Sequence, residues 1–591
     1  MYSHVCWKSG FESTRRDIKV HWRGLLNLPT VCQFLDVSCA RTNNELVSQV
    51  PESNRLCGWH PSCSGIRGMT QFAALVLVLV LGLTTPAVAL TTYYVDPNWG
   101  GTQSGSASQP WNDVNGLSKW NTINASLAND DVTVYFSARN AGSDTNVATT
   151  TGIGLDRTDT GTHRLTLDGM SKYNTSEVTP SWVTYSGPSR FQVTTSYPMG
   201  SDNFNSPYPN RDYITIRGFR LIATDGQIAA LQGMNHLIFE LNEGSTQNIP
   251  GTGPGVITGV PVSGVGLTGP SHIIIRNNNI HDSRGECLYI GGSTPDPPGS
   301  GSPVNTGDDI LIQGNTFTDC GRSGHQGDGT DVKDGHTNLR IINNVYTHPH
   351  FNMATGLYDT GYNCDCQGIV VESADLIAGN YIEAPAHSGI ELSASWNTQV
   401  GRNQLVIRNN VIVNVGYAGI WLANASSSSY QWSNTKVYNN SIFTTSIECI
   451  LISGPQGNVT VANNILHTCG SSGLASDTAG QLAMHDYNIF FNVSGNALAN
   501  AGANTTCANI ARVEAHASCS DPAFVSTSTP YAATNFKPGV GSQAIGAALD
   551  LSGTFTDDYA GVTRGVPWDI GPFAVFGVLA APNPPTQLRL R

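Results

Sequence analysis

Apolar residues recur along this chain in one short arrangement. From Asp212 onward, segments of the form apolar-x-apolar-x-x-Asn-x-apolar follow one another, indistinct at Ile214-Thr-Ile216 and Leu237-Ile-Phe239 and clear from Ile275-Arg-Asn-Asn278-Asn-Ile280. The repeat asparagines are Asn278, Asn315, Asn344, Asn380, Asn410, Asn440, Asn464 and Asn488, at intervals of 37, 29, 36, 30, 30, 24 and 24 residues. A fixed minimum with longer values above it predicts a solenoid coil of constant size whose extra residues bulge out as loops. Each asparagine is expected in a turn, with its amide bonded to the coils on either side.

A second strand follows each asparagine: Gly285-Glu-Cys-Leu-Tyr-Ile-Gly291, Gly327-Asp-Gly-Thr-Asp-Val-Lys333, Gln367-Gly-Ile-Val-Val-Glu372, Ser388-Gly-Ile-Glu-Leu-Ser393, Ala418-Gly-Ile-Trp-Leu-Ala423 and Glu448-Cys-Ile-Leu-Ile-Ser453. Taking Thr330 and Val332 as inward, alternation sends Tyr289, Asp331, Val370, Glu391, Trp421 and Leu451 outward as one column. Gly291, Lys333, Glu372, Ser393, Ala423 and Ser453 form the next. A one-residue slip would turn Lys333 into the core, where an unpaired ammonium is costly. Charge therefore gathers in the middle coils, around the GDGTDVKD stretch that holds Asp328, Asp331, Lys333 and Asp334, and aromatics flank it. Stacked coils lie about 4.8 Å apart, which makes Lys333 and Glu372 neighbours and sets Asp331 and Glu391 two coils, or about 9.6 Å, apart.

Composition adds compartment and charge. Gly, Asn, Ser and Thr are abundant and charged residues scarce, as suits short strands joined by turns. Eight of the 30 basic and five of the 43 acidic residues precede Leu90, leaving a net of −16 beyond it, which excludes nucleic acid as a partner. Phe72 to Leu83 (FAALVLVLVLGL) followed by Ala87-Val88-Ala89 reads as an export signal, with an uncleaved anchor as the alternative. The domains are then 1–68, an upstream leader or over-called start; 69–89, the signal; 90–211, an N-terminal cap and first turns; 212–493, the solenoid; 494–576, a C-terminal cap; and 577–591, a Pro-rich tail. The eight cysteines after the signal point to disulfides; a metal role for Cys364-x-Cys366 lacks a second Cys/His pair at the usual spacing. Cys287 and Cys320 lie nine and five residues after their asparagines, and Cys449 and Cys469 repeat those offsets, which predicts Cys287–Cys320 and Cys449–Cys469 and leaves Cys507–Cys519 as a local clip. Cys364 and Cys366 stay unassigned.

The short strands, the intervals and the asparagine ladder resemble the right-handed parallel β-helix of pectate-lyase-like proteins over about Asp212 to Val493. The opening Tyr93-Tyr-Val-Asp-Pro-Asn98 with Gln109-Pro-Trp111 is similar to the start of exported bacterial β-helix proteins. Asn535-Phe-x-Pro, Gly541-Ser-x-Ala-Ile545 and Asp569-Ile-Gly-Pro-Phe573 resemble a choice-of-anchor Q segment. The resemblance implies an all-β fold, a secreted or surface location, a polysaccharide partner and a monomer. It implies a polysaccharide lyase first, in which Lys333, with a lowered pKa, removes the proton α to a uronate carboxylate while Asp328, Asp331 and Glu372 hold Ca²⁺. The arginine of such lyases has no counterpart in the aligned columns; Arg340 should point from another face and only Arg322 could reach. Tyr289 and Trp421 would stack on sugar rings, and His348 joins them and Arg322 as a candidate substrate contact among the turn residues His281, Asp282, His325, His348, His350 and His387. Two alternatives share the face: an inverting glycosidase using Asp331 and Glu391, and a glycan-binding module without catalysis.

Overall fold

Asn-Asn pairs recur because two adjacent positions of each coil make different demands. The first needs a positive φ, which Asn tolerates better than most residues and Gly best of all; it is filled by Asn277, Gly314, Asn343, Gly379, Asn409, Asn439 and Asn463, with φ between 51° and 67°. The second carries the ladder. Asn410 Nδ2 donates to Asn440 Oδ1 (2.9 Å) and to the carbonyl of Ile377 (3.0 Å), while its own Oδ1 accepts from the N–H and the amide of Asn380. The same bonds run from Asn242 to Asn488, where the buried Glu514 accepts the last amide at 3.2 Å. Asn242 escaped the sequence pattern because its coil is one of the indistinct ones.

The computed structural model describes residues 90–575 apart from 138–147, 159–160, 175–180, 185–189, 201–211, 232–233, 248–254, 259–270, 292–306, 323–326, 334–335, 353, 356, 360, 362, 365, 394–401, 424–431 and 455. The signal, the upstream leader, the tail, His325 and Asp334 lie outside the described residues. Parallel strands stack into three long sheets, of 14, 12 and 12 strands, that form the walls of an all-β, right-handed parallel β-helix. Inward Ile, Leu, Val and Phe side chains from all three walls make one continuous core. At its N-terminal end the helix Leu117–Leu127 buries Trp120, Ile123 and Leu127 in that core. At the other end Leu498–Asn500 and Ala503–Thr505 pair antiparallel. The segment that follows runs back along the outer wall, with Phe536 and Phe573 packed on Val411, Val413 and Phe443, and Arg564 bonded to Asn409 at 2.8 Å. It covers apolar outward residues that would otherwise meet water.

Cys287–Cys320 and Cys449–Cys469 are disulfides, each with Cα atoms 5.3 Å apart, and Cys507–Cys519 closes a local loop at 5.8 Å. The same two offsets, nine and five, from consecutive ladder asparagines put the partners in adjacent coils. Cys364 and Cys366 have Cα atoms 5.1 Å apart.

Replacing Asn410 by Leu should lower stability by several kcal/mol, since each buried group left without its partner costs about 1–3 kcal/mol. Urea denaturation checks this against a substitution of the exposed Asn504; equal losses would mean that the ladder contributes nothing beyond shape.

Candidate functional site

The wall that carries the charge is the 12-stranded sheet that contains Leu288–Ile290, Thr330–Val332, Ile369–Val371, Ile390–Leu392 and Ile420–Leu422. Its register pairs Leu288, Thr330, Ile369, Ile390 and Ile420 in one row, Tyr289, Asp331, Val370, Glu391 and Trp421 in the next, and Ile290, Val332, Val371, Leu392 and Leu422 in the third. Thr330 and Val332 are fully buried on the inner side, where the Thr330 hydroxyl meets Tyr346 Oη at 3.0 Å. Lys333, Asp331, Glu372 and Glu391 consequently share the outer side. That side is not an exposed salt-bridged surface, however: Asp331 is 0% exposed and Glu372 3%.

Lys333 Nζ lies 2.8 Å from Asp331 Oδ2 and 3.6 Å from Glu372 Oε1, and 5.6 Å from the Tyr289 ring centre. Burial acts to lower the Lys333 pKa, but the two carboxylates outweigh it and leave the pKa above its ordinary value. This corrects the expectation of a lowered pKa: an ammonium held between two anions is a poor base. Burial pushes Glu372 up to about 7, against the pull of Lys333. Asp331 is raised by burial in the same way, and the wholly buried Asp328 is raised well above the usual carboxylate range by burial and then by Asp331. Glu286, on the coil before, also reaches about 7 through burial. Burial carries the Tyr289 hydroxyl up to about 12.

Asp328, Asp331 and Glu372 do not come together as the expected calcium ligands. Lys333 sits between two of them, and among the described residues the three side chains whose ligand atoms gather within 4.8 Å are Asp282, Asp319 and His350, at a different bend. Arg322 belongs to that second group. It is ion-paired to Asp282 and, at 2.7 Å, to Asp359, and so is committed away from the Lys333 face. His348 is buried, bonded to Tyr358 Oη at 2.7 Å, and burial lowers its pKa to about 4, so it is a structural histidine and not a substrate contact. Arg340 pairs with Asp309 at 2.9 Å on another wall, as its position in the repeat implies.

Trp421 stands one strand beyond Glu391 and is half-buried, with its indole N–H donated to Ser453 Oγ at 2.8 Å. Tyr417 lies against it at 5.2 Å between ring centres, and His387 stacks on Tyr417 at 4.4 Å with an 11° interplanar angle. His387 also approaches Glu391 Oε2 at 3.8 Å. Gln367 ties the two halves of the site together: its N–H donates to Asp328 Oδ1 (3.0 Å) and its side-chain amide to Glu391 Oε2 (2.9 Å). Glu286, Asp328 and Gln367 occupy equivalent positions, two before the first inward residue of their strands. This third column was present in the aligned segments, but the sequence reading followed only the two later ones.

Residues 263–432, which hold this wall, match the family model described as right handed beta helix region. No curated protein matches the chain in sequence. Among solved structures it is similar to pectate lyase Pel9A, at 12% identity over 83% of this chain and 97% of that one, with a TM-score of 0.32. It is also similar to the catalytic unit of a GH87 alpha-1,3-glucanase from Streptomyces thermodiastaticus strain HF3-3, at 14% identity over 70% and 68% (TM-score 0.35). The A-module of the Azotobacter vinelandii mannuronan C-5 epimerase AlgE4 gives 14% over 69% and 94% (TM-score 0.30). Likenesses this distant carry no argument about what this chain does.

Proposed function

We propose that the protein is exported and acts on an extracellular polysaccharide by hydrolysis, with Glu372 as general acid and Glu391 as general base. The observation that carries this is the state of the charges: the lysine is held as ammonium while a neighbouring carboxyl is pushed to about 7, the reverse of what β-elimination by a lysine base needs. Disulfides between coils support an oxidising destination. Glu372 and Glu391 lie on adjacent strands, offset by two positions, which puts their Cα atoms roughly 7–8 Å apart. Inverting glycosidases hold their carboxyl groups ~6.5–9.5 Å apart, a separation that glutamate side chains at this offset can reach. Asp331, two strands from Glu391 and tied to Lys333, serves less well as the acid than the sequence spacing suggested. Glu391 would take a proton from water as its oxygen attacks the anomeric carbon, and Glu372 would give a proton to the departing sugar oxygen. Tyr417 and Trp421 would stack on sugar rings beside Glu391.

Incubation with a panel of neutral, amino and uronic polysaccharides should release reducing ends without the ultraviolet absorbance of unsaturated uronates. Absorbance rising together with reducing ends would overturn the reading in favour of a lyase. The burial of Asp331 and Glu372 favours a second reading, a face that holds a glycan without cutting it. Binding with no product from any polymer would establish that instead.

A further inference from the structure

We propose that the polymer this face accepts carries free amines, a chain of hexosamine units whose ammonium groups enter the carboxylate cluster; this rests on the glycan-acting reading above. The cluster has acceptors without donors. Asp328 Oδ2, Asp331 Oδ1 and Gln367 Oε1 have no hydrogen-bond partner among the described residues, and their residues are 0, 0 and 8% exposed. Native proteins seldom leave buried acceptors unmet, and three on two neighbouring strand segments call for a donor-bearing ligand. Gln367 is uncharged, so its orphaned oxygen speaks for donors independently of the carboxylates, while its amide nitrogen is already given to Glu391.

The charge count narrows the donor. Glu286, Asp328, Asp331 and Glu372 face one ammonium, that of Lys333, and burial with so few cations raises the pKa of all four, so an added cation would draw them into their ionised form; the nearby Arg322 is held by Asp282 and Asp359. A uronate or sulfated sugar would bring a further anion and more acceptors to a place whose carboxyls already lack counter-ions. Neutral sugars offer hydroxyl donors but no counter-ion. An ammonium supplies three donors and a positive charge. Lys333 already displays the arrangement, its amine against Asp331 and Glu372 and near the face of Tyr289, and at 19% side-chain exposure it is the most solvent-exposed member of that ion-paired trio.

Calorimetric titration of the full chain near neutral pH tests this, using short oligomers of β-1,4-linked glucosamine and of α-1,4-linked galactosamine, the N-acetylated form of each, oligogalacturonate, and a lysine peptide of equal charge. One of the free-amine oligomers should bind at least about tenfold more tightly than every other probe. Glu286→Gln and Gln367→Leu should each weaken that binding by about tenfold, an effect that attraction to the net charge of the whole protein would not show. Equal or tighter binding of oligogalacturonate, of an N-acetylated oligomer or of the lysine peptide would overturn the proposal, as would wild-type affinity in both variants or no binding of either amine. Cleavage of a neutral glucan that is lost in Glu372→Gln would sink this inference and leave hydrolysis standing; tight amine binding without cleavage of any polymer would do the reverse.

Discussion

Lys333→Ala is expected to destabilise the protein by about 3–5 kcal/mol at roughly pH 8, because it leaves Asp331 and Glu372 buried without their counter-ion. The loss should shrink towards pH 4.5. The sign follows from the carboxyls around it. Glu372 and Glu286 have folded pKa values near 7, above their ordinary 4.5, so below about pH 4.5 they are protonated in both states and cost nothing. Between those values the folded protein keeps protons that the unfolded chain has released, and stability falls as pH rises through 7. Removing the ammonium raises the carboxyl pKa values further and deepens that fall. Urea denaturation of wild type and variant at the two pH values measures it; a loss under about 1 kcal/mol at both would show an ordinary surface ion pair instead.

Glu372→Gln and Glu391→Gln should each reduce turnover by about a hundred- to ten-thousand-fold, the usual contribution of one proton-transfer group. Their stability effects should differ from that of Lys333→Ala. Glutamine resembles a protonated glutamate, so Glu372→Gln should unfold no more easily than wild type above pH 7. In Glu391→Gln the new side-chain oxygen can still accept from Gln367. Loss of activity with the melting temperature kept is therefore the signature of chemistry and not of packing. The combined variant should fall little further than the worse single one, since either loss breaks the same step. Turnover unchanged by either substitution would place the reaction on another wall.

The fold could be read from the sequence because its information is local and repeated. The Asn-Asn pairs state a turn conformation and a ladder position together, and the repeated pair of cysteine offsets, nine and five from consecutive asparagines, identifies adjacent coils without knowledge of the path between them. The site was legible as far as register reaches: Asp331, Lys333, Glu372 and Glu391 share a wall because strands alternate with period two. Burial was not. Alternation says which side a residue faces, not what covers that side, so Lys333 was expected to be an accessible base with a lowered pKa and proved to be a half-enclosed ammonium. Arg322 and His348 lie in bends, where backbone direction is set by each loop, and their partners Asp282, Asp359 and Tyr358 are not fixed by the repeat. Gln367 was visible at its position, but nothing in a single glutamine says that it links Asp328 to Glu391.

Addition of water across a glycosidic bond is the step on which the proposed reaction at this face stands or falls. Mass spectrometry of products from one defined oligosaccharide that the protein cleaves tests it most directly. Hydrolysis predicts fragments whose masses sum to the substrate plus one water for each bond cut, with heavy oxygen from labelled solvent at the new reducing end. Fragments that sum to the substrate alone, one of them unsaturated and neither labelled at early times, would contradict it.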